Sequence, residues 1–335
     1  MRLSMESPMS AQAVKVQQLR VPTQQEHYGK VFPMAYLCQS ESADLGKALA
    51  WIRAHRDECL AQAAEHGVVF FRGFPLKTAS DFDSFVEQFE LPVFTYNQSL
   101  SNAVRLNHTP RVFSANEAPP EANINLHHEM AQTPIYPSKL FFFCREAASV
   151  GGATSVCRSD VLWDRLQDQV PEFARACAER GLKYTHTMPP VEDKESGLGR
   201  SWRGTLSVDT REAAEERLSS LGYTWEWHDN DCLSVTSPAL PAVRKLESGR
   251  TAFFNQLIAA LGWKDVRNAQ SKALTFGDDS PMDLDGAQAA VELAEELTFD
   301  VPWQTGDLVL VDNYLVMHGR RTFQGSRTVL ASFST

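Results

Sequence analysis

The sequence predicts a single domain of mixed strands and helices, on three observations. Short continuous apolar runs, Val68-Val-Phe-Phe71 and Leu140-Phe-Phe-Phe-Cys144, have the length of buried strands. Apolar residues recur at helical spacing at Leu45, Leu49, Ile52, Cys59, Leu60 and Ala63, and again at Phe82, Phe85, Val86 and Phe89. No internal repeat, low-complexity tract or linker interrupts 335 residues that are 43% hydrophobic, enough for a sizeable core.

In chain order, residues 1–30 are rich in Gln, Ser and Met and lack periodicity. They are expected to form an arm of low order that can pair with a sheet edge. Ser42 is the expected N-cap of the first helix and Gly67 its stop. A second helix begins near Ser80 and ends before Pro92. Residues 97–123 carry Asn, Pro and Ser at high density, a long loop of the kind that is usually functional or disordered. After the strand at 140–144, Gly151-Gly152 forms a turn into a strand at 153–157. Ser159 then caps a helix carrying Val161, Leu162, Leu166 and Val170, and Pro171 opens another. Residues 183–256 alternate strand-like pieces with a helix at 210–221. The acidic stretch 277–286 lacks the glutamate a calcium loop needs at its twelfth position, and it is expected to cap the helix at 286–297 instead. Strands at 308–311 and 328–333 complete the chain.

Composition narrows the function. Thirty-two basic against 42 acidic residues give a net charge of −10, which argues against non-specific nucleic-acid binding and against an anionic membrane surface. The apolar runs are far shorter than a membrane span, and Met1-Arg-Leu-Ser-Met-Glu-Ser-Pro lacks the apolar core of a secretory signal. Cys38, Cys59, Cys144, Cys157, Cys177 and Cys232 form no C-x-x-C pair and no disulfide spacing. Free thiols in a reducing cytoplasm are expected.

Asn125-Leu-His-His-Glu-Met130 is the stretch with chemistry in it. On an extended strand residues i and i+2 share a face, so His127 and Glu129 can reach one metal while His128 points away. An isolated H-x-E is more often a polar pair at a strand end. The distant His318 changes the weighing, because two imidazoles and one carboxylate with open positions suit non-heme Fe(II) and oxygen chemistry. Zinc accepts the same ligands, so a zinc-dependent hydrolase is an alternative; the chain has no H-E-x-x-H helix and no clear general base. Arg327, nine residues after His318, can fork a carboxylate, and Thr154, just past Gly151-Gly152, can donate to the same group. Arg320 and Arg321 are expected to form structural ion pairs, with Arg320 also a contact behind the ligands.

These pieces together resemble the Fe(II)/2-oxoglutarate-dependent dioxygenases of the taurine dioxygenase (TauD/TfdA) family, within the clavaminate synthase-like group. The matching segments are Leu126-His-His-Glu129, Pro137-Ser-Lys-Leu-Phe-Phe-Phe-Cys144, Gly151-Gly-Ala-Thr154, and Asp312-Asn-Tyr-Leu-Val-Met-His-Gly-Arg-Arg321 with Arg327. The resemblance implies a mostly β fold with flanking helices: a double-stranded β-helix (jelly roll) filling residues 31–335, with a large α/β insert at about 160–300. It implies Fe(II) on His127, Glu129 and His318. It implies 2-oxoglutarate on Arg327 and Thr154, with O2 as the oxidant and succinate and CO2 released. Glu129 keeps the carboxylate that related halogenases replace with a small residue, which favours hydroxylation. Ser201-Trp202 and Phe253-Phe-Asn-Gln256 resemble segments of the natural-product tailoring branch. That implies an amino acid or amino-acid-derived small-molecule substrate, free or carried on a synthetase thiolation domain, with Asn255 and Trp202 as candidate substrate contacts and the 97–123 loop as a lid. The other alternative is a non-catalytic jelly-roll binding protein with a relic metal site. Arg327 and Thr154 weigh against it, since a relic has no use for a co-substrate anchor.

Overall fold

Two β-sheets face each other across one apolar layer. The computed structural model describes residues 14–39, 44–95, 99–101, 103–193, 199–262 and 273–335. The larger sheet has seven strands, in the order Val16–Gln18, Met34–Cys38, Val68–Arg72, Leu308–Asp312, Lys139–Glu146, Thr328–Ser334 and Phe113–Ser114. The smaller has four, in the order Thr298–Val301, Thr154–Arg158, Val316–Arg320 and Ile124–His127. Phe70, Phe142 and Val309 of the first sheet share a buried cluster with Val156, Phe299 and Val316 of the second, so the two pack face to face. This mostly β, helix-flanked architecture is the one the resemblance implied.

The large sheet is covered on its other face as well. Val69, Phe71, Phe141, Phe143, Leu308 and Leu310 point the opposite way and meet the first two helices. Burial on both faces is why these strands read as continuous apolar runs rather than alternating ones. Helix Leu45–His66 is capped by Asp44, whose carboxylate accepts the Lys47 amide at 2.8 Å. The expected cap, Ser42, lies outside the described residues. Gly67 ends this helix as expected, at φ +87°; a Cβ there would stand 2.5 Å from Val316 Cγ2. Helix Ala79–Glu87 starts on a capping box between Thr78 and Asp81, and its Phe82 stacks on Phe143 with centroids 5.4 Å apart.

Three further local expectations are corrected or refined. Part of the expected N-terminal arm is built into the fold: Val16–Gln18 is an edge strand on Met34–Cys38, and Gln25–His27 pairs with Lys30–Phe32. Ser159 opens helix Ser159–Gln169 but makes no capping bond; its hydroxyl donates to the Leu315 carbonyl instead. Asp283, from the acidic stretch, does cap helix Leu284–Glu296, accepting the Gly286 amide at 3.0 Å. Between Arg158 and Thr298 the chain also forms helix Pro171–Arg180 and a third sheet, in the order Thr224–Trp227, Leu233–Thr236, Leu182–Met188 and Leu274–Phe276. All six cysteines are buried outside any disulfide, and among the described residues no helix is long and apolar enough to cross a membrane.

Candidate metal centre

The small sheet brings the two histidines together by register. In the antiparallel pair His318 lies directly opposite His127, and their rings stand 4.3 Å apart at 47°. Directly opposite residues on one face are the nearest neighbours a sheet offers. Glu129 arrives differently from the expectation. The strand stops at His127, and the chain turns through Met130 at φ +60°. An extended i, i+2 pair is therefore not what aligns the two side chains; a turn at the strand end does it. Asn313 holds that turn: its side chain accepts the Glu129 amide at 2.8 Å and donates to the carbonyls of Glu129 and Pro137. His128 does point away. It is fully buried, with Nδ1 at 2.5 Å from the Asn313 carbonyl and Nε2 at 2.9 Å from the Ser159 hydroxyl.

His127, Glu129 and His318 each present one ligand atom, all within 4.8 Å of one another. The Asn125 carbonyl accepts the His127 Nδ1 proton at 2.8 Å, which leaves the Nε2 lone pair facing inward. Glu129 Oε2 is 3.4 Å from His318 Nε2 and 4.0 Å from His127 Nε2, and it is buried with no hydrogen-bond partner. A bare, buried carboxylate oxygen between two imidazoles is what a divalent cation would satisfy.

Electrostatics favours the ligand protonation states. Burial, reinforced by the neighbouring His318, lowers His127 to about 4, so its imidazole is neutral at physiological pH. Burial alone would raise Glu129, but Arg105 and the two histidines outweigh it and hold the carboxyl well below its ordinary value. Arg105 Nη2 donates to Glu129 Oε1 at 2.9 Å, across two side chains that are 6% and 4% exposed.

The same cavity, about 130 Å³, reaches Thr154 and Arg327. Arg327 Nε donates to the Gly152 carbonyl at 2.8 Å, and its Nη2 lies 3.5 Å from Thr154 Oγ1. Trp303 Nε1 donates to that hydroxyl oxygen at 3.0 Å, so the Thr154 proton is free to point elsewhere. Gly152 allows the approach: at φ +71°, a Cβ would stand 2.9 Å from Arg327 Cδ. Burial, with Arg320 beside it, pulls the Arg327 guanidinium down to about 10, which leaves it charged at neutral pH.

Other expected residues fall elsewhere. Arg320 lines the cavity but gives its N–H groups to the carbonyls of Ala118, Pro119 and Ala122, clamping the long loop rather than forming an ion pair. Arg321 does form ion pairs, with Glu295 and Asp300. Asn255 is not brought into the cavity. Its amide is spent on the Ala242 carbonyl and the Leu257 amide, so its role is to hold backbone. Trp202 is wholly buried in a separate cluster against Trp227, its N–H on the Asp231 carbonyl. In the loop, positions 97, 98 and 102 lie outside the described residues. The rest is tied down at Arg105, at Thr109 and Arg111 on Asp83, and at the carbonyls held by Arg320. Sequence reasoning missed Arg105 and Gln132 in the cavity wall, and Asn313 and Trp303 behind it. Asn313 had a signal, since it lies in the matched Asp312-Asn-Tyr segment. Arg105 had none, because its partner is 24 residues away across an aperiodic loop.

Known proteins resemble this chain both in sequence and in fold. A clavaminate synthase-like protein of Arabidopsis thaliana is 37% identical over 320 residues, covering 93% of this chain and 96% of its own. The dapdiamide synthesis protein DdaC of Enterobacter agglomerans is 26% identical over 289 residues, 82% of each chain. In fold, the chain is similar to PvcB of Pseudomonas aeruginosa (TM-score 0.53, 15% identity, covering 99% of this chain and 94% of that one). It is also similar to a taurine dioxygenase of Burkholderia xenovorans (TM-score 0.50, 16% identity, covering 95% and 89%). Residues 30–332 match the family described as taurine catabolism dioxygenase TauD, TfdA. The chain therefore belongs to the TauD/TfdA family and is an Fe(II)- and 2-oxoglutarate-dependent dioxygenase.

Proposed function

We propose that this enzyme hydroxylates an unactivated carbon of an amino acid or amino-acid-derived metabolite. In this reading His127 Nε2, Glu129 Oε2 and His318 Nε2 hold the iron, and Arg327 with Thr154 holds the distal carboxylate of 2-oxoglutarate. The observation that carries it is the convergence of three ligand atoms within 4.8 Å in the cavity that also exposes Arg327 and Thr154. Ferrous iron supplies the oxygen chemistry when bound: O2 takes 2-oxoglutarate to succinate and CO2, and its second atom goes to the substrate. The chain's own residues bind, orient and exclude water. Arg327 offers two N–H groups in one plane, and the Thr154 proton adds a third donor, which fixes the co-substrate's far end. Phe142, Val329 and Ala259 supply apolar wall, keeping the reacting space dry.

Glu129 argues for oxygen insertion, because its carboxylate fills the position a halide would need. The relative named for dapdiamide synthesis supports a biosynthetic amino-acid-derived substrate. The test is succinate release from 2-oxoglutarate, in air with added Fe(II), across free amino acids and their thiolation-domain thioesters. Substrate-stimulated succinate with a product 16 mass units heavier is the expected outcome. A chlorinated or unchanged substrate would overturn the hydroxylation reading, and full turnover by His127→Ala would overturn the ligand assignment.

A further inference from the structure

We propose that Arg105 is a positioning residue that confines Glu129 to single-oxygen ligation of the metal. The inference rests on the ligand assignment above and goes beyond it. A carboxylate can meet a divalent cation with one oxygen or with both. Here the two oxygens have different environments. Oε1 accepts from Arg105 Nη2 at 2.9 Å, while Oε2 is bare and faces the two imidazoles at 3.4 and 4.0 Å. Two-oxygen ligation would have to turn Oε1 toward the cation against a buried, charge-assisted hydrogen bond that holds it the other way.

The guanidinium cannot easily follow a rotating carboxylate. Its carbon lies 5.3 Å from the centre of the Phe113 ring and 5.0 Å from that of Phe333. Those rings sit on paired strands of the large sheet and meet edge-on, 4.8 Å apart. Arg105 thus ties the large sheet to a ligand in the turn just past the end of a small-sheet strand.

Charge alone gives no net reason to put a guanidinium there, since it steadies the ionised carboxylate but repels the incoming cation. Geometry gives one. An octahedral ion held by three single-atom ligands keeps three positions open, enough for a two-point co-substrate and O2. A two-oxygen carboxylate would leave only two, and the co-substrate would fill them.

The test uses Mn(II) as the probe, with bound water counted by line broadening in oxygen-17 water and affinity measured from free Mn(II). In the unaltered protein we expect three bound waters, falling to one when 2-oxoglutarate is added. Arg105→Met should lose one water in each state without weakening Mn(II) binding, and Arg105→Lys, which keeps a donor, should restore the unaltered count. If Arg105 only supported the fold, Arg105→Met would bind Mn(II) more weakly at an unchanged water count, and the proposal would be wrong. Two waters in the unaltered protein would also overturn it, and that result needs no variant to fold. If His318→Ala binds Mn(II) as tightly as the unaltered protein, the ligand assignment fails first, and separately.

Discussion

The two facing sheets differ in what they are asked to do. The seven-stranded sheet is buried on both faces, by the other sheet and by two helices, and its central strands are almost wholly apolar. The four-stranded sheet is buried on both faces too, with Val156 and Val316 in the shared layer and Cys157 and Met317 against helix Ser159–Gln169, but it carries His127, His318 and Thr154 where a cavity opens. A buried polar group is tolerated only where a partner or ligand can satisfy it. Chemistry therefore collects where the cavity parts the two sheets, the small sheet supplying the histidines and the large one, through Arg327 at its margin, an anchor. Changes to the small sheet should abolish function and spare the fold; changes to the large sheet should do the reverse.

The largest effect expected is on the small sheet. His318→Ala should lower 2-oxoglutarate turnover by about a thousandfold or more through lost metal, leaving the thermal transition of the metal-free protein nearly unmoved. Phe143→Ala probes the other sheet. It empties a fully buried site stacked on Phe82 and should lower stability by about 3–5 kcal/mol in denaturant melts, while turnover per folded molecule is unchanged. Arg327→Gln tests the margin between them. It should raise the KM for 2-oxoglutarate by roughly 30- to 100-fold, the loss of a charge-assisted pair worth about 2–3 kcal/mol, with kcat less affected.

Two smaller effects lie outside both sheets' contact layer. His186 is buried and neutral, lowered by burial to about 4 from 6.5. The unfolded chain takes up its proton below about pH 6.5 and the folded one resists until about pH 4. Stability should therefore be complete above 6.5 and fall as the pH drops toward 4. His186→Leu should flatten that part of the stability–pH curve, by on the order of 2 kcal/mol. Thr78→Ala removes one half of the capping box and should cost about 1 kcal/mol by the same melts, with no change in turnover.

How much of this was legible in the sequence follows from the range of the forces involved. The continuous runs at 68–71 and 140–144 announced doubly buried strands because burial on both faces leaves a composition signal. The proposed ligands were legible because the chemistry fixes residue types, and the proposed anchors Arg327 and Thr154 because a carboxylate needs a fork and a donor. The reason His127 and Glu129 converge was not legible: one turn at Met130, held by Asn313, replaces the extended strand that spacing suggested. Asn255 and Trp202 have the types a substrate site uses, yet their polar atoms go to backbone, and only placement reveals that. Arg105 reaches Glu129 through a loop with no periodicity, so nothing local marked it.

Because His127 and His318 are cross-strand partners, slipping that pairing by one residue would turn their two rings to opposite faces of the sheet. An ion that grips both rings recognises only the correct alignment. Metal capture during biogenesis would then act as proofreading of strand pairing, and chains aligned wrongly would be left without iron, structurally plausible yet inert.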